Sequence, residues 1–345
     1  MKQYLLKLLL FLSPILLIVG TYVVLDPFKV IWHYDNYYAS LQEVILNRGA
    51  VSTKIFDNQN DTCHYDSFIL GNSSSLAFYV KEWQKHIGND TRCFHFDAMS
   101  GSVEGMYLKV RHIDEKGNQI KNALVVVDHK MLGRGGYQSH LYILPPALTH
   151  NQNFWKFHWT HFLSFLNPKF LRAYFDYKLT GKFKPYMEEV LNGKHKMDYN
   201  SITNEMKESY WEQLIANDEF YTPERCAEFN GKQHPGSTDV AHIDKEKRQM
   251  MKEMADIFKR HHTRVKVVVS PFYDQVLLNP ADRQCLETLF GKENEFDFSG
   301  VNTWSTDYHN YYDTIHYRPQ VATEILNIIY PEPSENTESS EKSQD

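Results

Sequence analysis

Ser73, Asp313 and His316 are the residues whose types and spacing suit chemistry. A serine hydroxyl is a weak nucleophile at its own pKa and needs an adjacent base to take its proton. A histidine titrating near neutrality meets that need, and a carboxylate on its Nδ1–H fixes the tautomer and stabilises the imidazolium. The segment Asp313-Thr-Ile-His316 sets acid and base three positions apart, so their side chains can turn back toward each other. Ser73 stands in Gly71-Asn72-Ser73-Ser74-Ser75, directly after the apolar run Ser67-Phe68-Ile69-Leu70. Gly71 allows a tight turn and Asn72 tolerates strained backbone angles. At such a strand-to-helix turn the serine Oγ lies near free N–H groups and the positive end of the helix dipole. Alone, the motif also reads as a turn with an N-cap. With 17 histidines, an Asp-x-x-His is unremarkable; its place just before the last helical stretch, Pro319 to Ile329, gives it weight.

The elements that must hold these residues alternate between two periods. After Ser67 to Leu70, apolar residues recur at Leu76, Tyr79, Val80, Trp83 and Ile87, one face of a helix running from Ser74 and closed by Gly88-Asn89. Cys93 to Ala98 reads as a second strand, closed by Ser100-Gly101-Ser102, and Val103 to Ile113 as a helix. Ala123-Leu-Val-Val-Val-Asp128 is the clearest strand, five apolar residues entering an acid. Asp244 to His262 reads as a helix with Met250, Met251, Met254, Ile257 and Phe258 inward, leading into the strand Val265 to Ser270. Such alternation implies an α/β fold with a parallel sheet covered on both faces. Ligands in such sheets bind beyond the carboxyl ends of the strands.

Between about 134 and 241 the pattern breaks. Asn153 to Tyr177 is aromatic and helical, and Gly181 to His242 is polar without obvious strands. We read a helical insertion that shapes a cleft, docks a partner or simply completes the core. Pro331 to Asp345 is Ser/Glu-rich and is expected to be a disordered tail.

The formal net charge of −6 argues against a nucleic-acid binder, which carries a basic patch. Twenty-two Tyr and 21 Phe supply either a packed core or a surface that stacks on sugar rings. Cys63, Cys93, Cys226 and Cys285 suit an oxidising compartment, with a Cys63–Cys93 bridge left open. No Cys/His spacing suggests zinc, His261-His262 reads as a solvated helix end, and no metal or cofactor is expected. Asn72, Asp128, His129, Arg134 and Tyr273 sit at strand ends or in the turns that follow, where they can line a binding cleft.

The first residues stand apart. Lys2 and Lys7 precede Leu8 to Leu25, a run with no charge, and Asp26 follows. As a helix the run measures roughly 27 Å, enough for a membrane anchor spanning residues 1–26. The positive residues on its N-terminal side place that end in the cytoplasm. Gly20-Thr21-Tyr22 is a poor match to the small-residue site of a cleavable signal. Residues 27–61 read as an aromatic helical juxtamembrane segment (Trp32, Tyr34, Tyr37, Tyr38) ending in a polar loop.

Gly71-Asn72-Ser73, Gly101 and Asp313-x-x-His316 together resemble the blocks of the SGNH/GDSL esterase and acyltransferase superfamily, over roughly residues 64 to 330. The resemblance implies a flavodoxin-like three-layer sandwich at 62–330. It makes Ser73 the nucleophile, His316 the base and Asp313 its orienting group, with the backbone N–H groups of Ser73 and Gly101 as oxyanion donors. The segment from Phe296 to Tyr317 looks like membrane-anchored bacterial members, similar to the alginate-acetylation and teichoic-acid D-alanylation proteins. Those work outside the membrane beside a membrane-bound O-acyltransferase. The implied function is an acyl esterase or O-acyltransferase acting on an envelope or exopolysaccharide glycan. Its domain would lie in the periplasm, tethered to the bacterial inner membrane. One departure stands: the family's third block supplies an Asn side chain, and here the strand ends Val127-Asp128-His129. His129 or a backbone N–H would have to substitute. Otherwise the protein is a non-catalytic module binding a polysaccharide or an acyltransferase partner.

Overall fold

Short β-branched and aromatic runs become strands, and the amphipathic runs between them become helices. The computed structural model describes residues 2–39, 44–135, 139–192 and 198–331. In chain order the elements are α1 (Lys2–Leu25), α2 (Arg48–Cys63), β1 (Ser67–Gly71), α3 (Val80–Ile87), β2 (Cys93–Asp97) and α4 (Val103–Glu115). Next come β3 (Asn122–Val127), α5 (His129–Gly133), α6 (Phe154–Phe165), α7 (Pro168–Thr180), β4 (Asp198–Asn200), β5 (Glu205–Lys207) and α8 (Ser209–Ala216). The last are α9 (Pro223–Phe229), α10 (Lys245–Arg260), β6 (Arg264–Val269), α11 (Pro280–Phe290), β7 (Glu295–Asp297) and α12 (Pro319–Ile329).

Five strands form one parallel sheet in the order β2-β1-β3-β6-β7. This is the doubly wound, flavodoxin-like order, and it opens a crevice at the carboxyl ends of β1 and β3, where the direction of strand addition reverses. Alternation along the strands supplies both cores. Phe68, Leu70, Val125, Val127, Val267 and Val269 pack with α2, α4, α10 and α11. Ile69, Leu124, Val126 and Val268 pack with α3 and α12. The expected α/β fold with a parallel sheet covered on both faces is observed, a layering compatible with a three-layer sandwich.

Several local expectations are corrected. The polar loop expected before residue 61 is helix α2, capped by the Asn47 side chain accepting the Ala50 N–H. Its polar second half hid the period, yet Val51, Ile55 and Phe56 lie in the sheet's core. The single helix expected from Ser74 is a tight turn, Ser73–Ala77, followed by α3 after an extended Phe78-Tyr79. The break is held open by Glu205, whose Oε2 accepts the Val80 N–H at 2.5 Å. The aromatic stretch from Asn153 is two helices, divided at Asn167-Pro168, where Asn167 caps α7. The insertion also carries the β4–β5 hairpin that the polar sequence concealed. Strand β7 and helix α11 were not anticipated, β7 being three residues with acids at both ends. All four cysteines are free thiols, so the Cys63–Cys93 bridge does not form.

Side chains of α1 are described at Tyr4, Lys7 and from Leu10 onward. Among the described residues no helix is long and apolar enough to cross a membrane, so the fold lends the expected anchor no support. The expected tail, from residue 332, lies outside the described residues.

Phe56 is fully buried, with ring centroids 5.2 Å from Phe96, 5.6 Å from Phe94 and 6.1 Å from Phe68. Phe56→Ala is expected to cost about 3–5 kcal/mol, read as a lower denaturant midpoint. A near-neutral result would show that α2 is not part of the sheet's core.

Candidate active site

Ser73 opens the tight turn after β1, and its neighbours fix that turn. A Cβ on Gly71 would lie 2.8 Å from the Ser75 Cβ and 3.0 Å from the Val126 carbonyl, so only glycine fits there. The Asn72 Oδ1 accepts the Ser74 N–H at 2.9 Å, and the Ser75 hydroxyl donates to the Asn72 carbonyl at 2.7 Å. The Asn72 Nδ2 donates to Asp128 Oδ2 at 2.6 Å, tying the loop after β1 to the loop after β3 across the crevice.

The base arrives from the other end of the chain. Tyr311 and Tyr317 pair in a short antiparallel bridge and are both buried, closing residues 311–317 into a tongue. The Tyr312 N–H donates to the His316 carbonyl at 2.9 Å, and the Tyr273 N–H reaches the Thr314 carbonyl at 3.2 Å. Inside the tongue, Asp313 Oδ1 accepts the N–H groups of Ile315 and His316, each at 2.9 Å. Its Oδ2 stands 2.7 Å from His316 Nδ1, and His316 Nε2 stands 2.8 Å from Ser73 Oγ. The three residues singled out by type and spacing therefore form one unbroken hydrogen-bonded chain.

Its electrostatics follow from the partners. Burial pushes the Asp313 carboxyl up, but the His316 hydrogen bond and charge and the two N–H donors outweigh it, leaving the pKa below the usual value. Burial pushes the His316 imidazole down. The hydrogen bond and charge of Asp313, with the negative charges of Glu208 and Asp128, outweigh that and raise its pKa. The imidazolium that forms when a serine proton is taken is thus held by three carboxylates.

The oxyanion side differs from expectation. The Ser73 N–H makes no hydrogen bond among the described residues, so it is available to a developing oxyanion. The Gly101 N–H, the second expected donor, instead closes a turn onto the Ala98 carbonyl at 3.3 Å. A Cβ on Gly101 would sit 3.3 Å from the Asn72 Cβ, so the glycine lets the two loops approach.

The binding candidates are largely committed to structure. Asp128 is buried, capping α5 through the Met131 N–H at 2.7 Å while holding Asn72. The Nε2 of His129, the suggested substitute donor, stands 3.4 Å from Asp274 Oδ2. Tyr273 is a core residue, packed on Phe229 and Tyr311 and bracing the tongue through its backbone; it does not line a cleft with its ring. Arg134 follows α5, partly exposed, and takes no part in the triad's hydrogen bonds.

Sequence reasoning missed a buried ionic cluster beneath the turn that carries Ser73. Asp97, at the end of β2, receives two bonds from Arg48, Nε at 2.8 Å and Nη2 at 2.7 Å. The His95 Nδ1 stands 3.3 Å from Asp97, and its Nε2 2.9 Å from the Ser75 carbonyl, so the cluster touches the turn that carries Ser73. Burial alone would raise the Asp97 pKa; Arg48 and His95 hold it well below the usual carboxylate range. Lys109 is buried beside it, its ammonium pushed down to about 7 by desolvation, donating to the Asp97 carbonyl at 2.5 Å. An acid and a histidine inside an apolar strand were the available signal. Nothing in sequence pairs Asp97 with an arginine 49 positions earlier.

Also unanticipated was helix α8 of the insertion. Its Glu212 takes Arg318 Nε at 2.9 Å and Nη2 at 2.7 Å, and the Tyr312 hydroxyl at 2.6 Å. Tyr312 lies within the tongue and Arg318 directly follows it. Trp211 and Phe220 pack on the Tyr312 ring, at 5.2 and 5.9 Å.

Among the described residues no group of three or more His, Cys, Asp or Glu is placed to hold a metal ion. No protein-family model matches the chain, and no curated protein does.

Removing one partner of a buried pair strands the other charge, at about 3–5 kcal/mol. Arg48→Met is expected to lose that much in denaturant unfolding. Arg48→Lys, which keeps the charge without the planar fork, should lose less. Equal losses would mean that Asp97 does not depend on the charge.

Proposed function

We propose that this chain is a serine esterase or O-acyltransferase of the SGNH type, and one observation supports that above all others. The chain Ser73 Oγ–His316–Asp313, with links of 2.8 and 2.7 Å, sits at the carboxyl edge of a parallel sheet where ligands bind. In the reaction, Ser73 Oγ attacks an acyl ester carbonyl and His316 Nε2 takes its proton. The ester C–O bond breaks, and His316 returns the proton to the departing alcohol, leaving an acyl-serine. A water or sugar hydroxyl then loses its proton to His316, attacks the acyl carbon and releases Ser73, which regains the proton. Asp313 stays ionised throughout and holds the Nδ1–H. The Ser73 N–H serves the oxyanion.

The setting belongs to the same proposal. Lys2 and Lys7 before an uncharged run to Leu25 support an N-terminal anchor in the bacterial inner membrane with the domain in the periplasm. Such a place suits an envelope or exopolysaccharide glycan as substrate and a membrane-bound O-acyltransferase as partner.

A second reading has its own observation. The Gly101 N–H is engaged with Ala98, and the strand from which the family draws its Asn ends here in Asp128, whose carboxylate accepts from Asn72. Each missing oxyanion donor costs about 3–4 kcal/mol of transition-state stabilisation. A protein so depleted would bind a glycan or acyltransferase without turning over.

A fluorophosphonate probe separates the two readings. Folded wild-type protein is expected to label at Ser73, Ser73→Ala not at all, and His316→Ala at least ~100-fold more slowly. Absence of labelling in the folded wild type favours the binding module.

The pH dependence carries a sign. Only neutral imidazole accepts the serine proton, and the folded pKa of His316 is raised. Labelling should therefore rise with pH through a midpoint above the ordinary histidine value of about 6.5. Asp313→Asn removes the main opposing charge and should move that midpoint down. A midpoint unmoved by Asp313→Asn would disprove the coupling.

A further inference from the structure

Tryptophans on the surface of a folded domain need a reason to be there, and on α6 they form a stripe. Trp155, Trp159 and Leu163 recur at helical spacing and are 83%, 59% and 49% exposed. The opposite face of the helix, Phe157, His161 and Phe165, is buried. The helix is thus apolar on both sides, and among the described residues only one side is packed against the domain.

What adjoins the stripe is α1. Ile15, Leu16, Leu17, Ile18 and Val19 are five consecutive exposed residues, enough to go right around a helix. Among the described residues, no side of α1 at that level rests on the domain. A helix apolar all round is stable only when surrounded by other apolar matter. The domain begins at Tyr22, which is buried with its ring 5.3 Å from Phe162 and 5.2 Å from Phe165 of α6. Trp159 lies 5.7 Å from that same Phe162. Trp32, 50% exposed, donates its Nε1–H to the Val23 carbonyl at 2.7 Å. Two tryptophans therefore flank the base of the apolar rod, and Trp155 extends the row by one helical turn.

The charge at that base is withdrawn. Asp26, the first acid after the rod, is buried, and its carboxylate accepts the N–H groups of Val30, Ile31 and Trp32 at 2.9 to 3.0 Å. The exposed charge on α6 is Lys156, whose long stem can lie along apolar surface with its ammonium in water.

We propose that the Trp155–Trp159–Leu163 face of α6, with Trp32, beds in the lipid–water interface of a phospholipid bilayer beside the end of α1. Indole rings favour that level because one edge is apolar and the N–H is wet. The inference rests on α1 being the membrane anchor proposed above, and adds a second contact. A single helix leaves a domain free to swing about its tether, whereas α6 would fix its tilt.

The full-length protein, reconstituted in vesicles of equimolar phosphatidylcholine and phosphatidylglycerol, tests this by tryptophan fluorescence. The quencher is phosphatidylcholine brominated near the head of its acyl chains. Wild type is expected to be quenched, and Trp155→Phe with Trp159→Phe should remove at least half of the quenched intensity while helical circular dichroism is kept. Equal quenching of wild type and double variant overturns the inference, whether aqueous acrylamide reaches the two indoles or a second copy of the chain shields them. Leu17→Trp reports on the anchor separately. If its added fluorescence is quenched while Trp155 and Trp159 are not, the platform fails and the anchor stands; if none is quenched, both fail.

Discussion

A carboxylate cannot stay charged inside a protein without neighbours, and the buried Asp97 has assembled a large part of this domain around itself. It sits at the carboxyl end of β2, where the sheet's edge meets the Ser73 turn. Arg48 comes to it from α2 and His95 from its own strand, and Asn204 from the hairpin of the insertion holds Arg48 in turn, its carbonyl accepting Arg48 Nη2 at 2.5 Å. Asn204 also donates to the His95 carbonyl at 2.6 Å. One ion thereby pins three segments distant in sequence, and His95 passes the restraint to the Ser75 carbonyl. In a low-dielectric setting Arg48 is obligatory, since withdrawing it leaves the Asp97 charge unbalanced. The Ser73 turn rests on a foundation that cannot shift in part.

The insertion closes the other side of the same site. Its hairpin supplies Glu205 to the first N–H of α3, and α8 supplies Glu212 to Arg318 and Tyr312. The segment that broke the α/β pattern in sequence is therefore a clamp on the elements that carry Ser73 and His316. Carboxylates lead at each contact, and Glu208 adds its charge to the surroundings of His316. Under the proposed reading, such stabilisation of an imidazolium would favour the protonated intermediate of acyl transfer.

Legibility in the sequence followed how local each determinant is. β1, β3, β6 and α12 were read nearly to their ends, because each is a run whose period or termination lies within a few residues. The triad was legible for a different reason. A serine after a buried strand and an Asp-x-x-His before a final helix are local signals, and the sheet's topology brings them together. The rest was hidden because its cause is tertiary. Helix α2 reads as polar after Phe56, and its helicity depends on apolar residues meeting β1 and β2. Glu205 breaks the helix after Ser73 from 125 positions away. Gly101 was expected to donate outward, yet the turn that delivers it uses its N–H on Ala98. Tyr273 looked like a cleft residue from its place at a strand end, and packing drew it inside.

The Ser73–His316 bond joins residues 243 positions apart, near the two ends of the domain. At ribosomal speeds of about 5–20 residues per second, Ser73 precedes His316 by roughly 12–50 s. Throughout that interval the growing chain holds a serine with no base, as inert as any other surface hydroxyl. Contacts of such long range are slow to close, because the loop entropy falls due before any reward. Under the proposed acyl-transfer reading, reactivity would switch on only once the whole domain has been made and folded, and a chain cut short before the tongue would lack the His316 partner of Ser73.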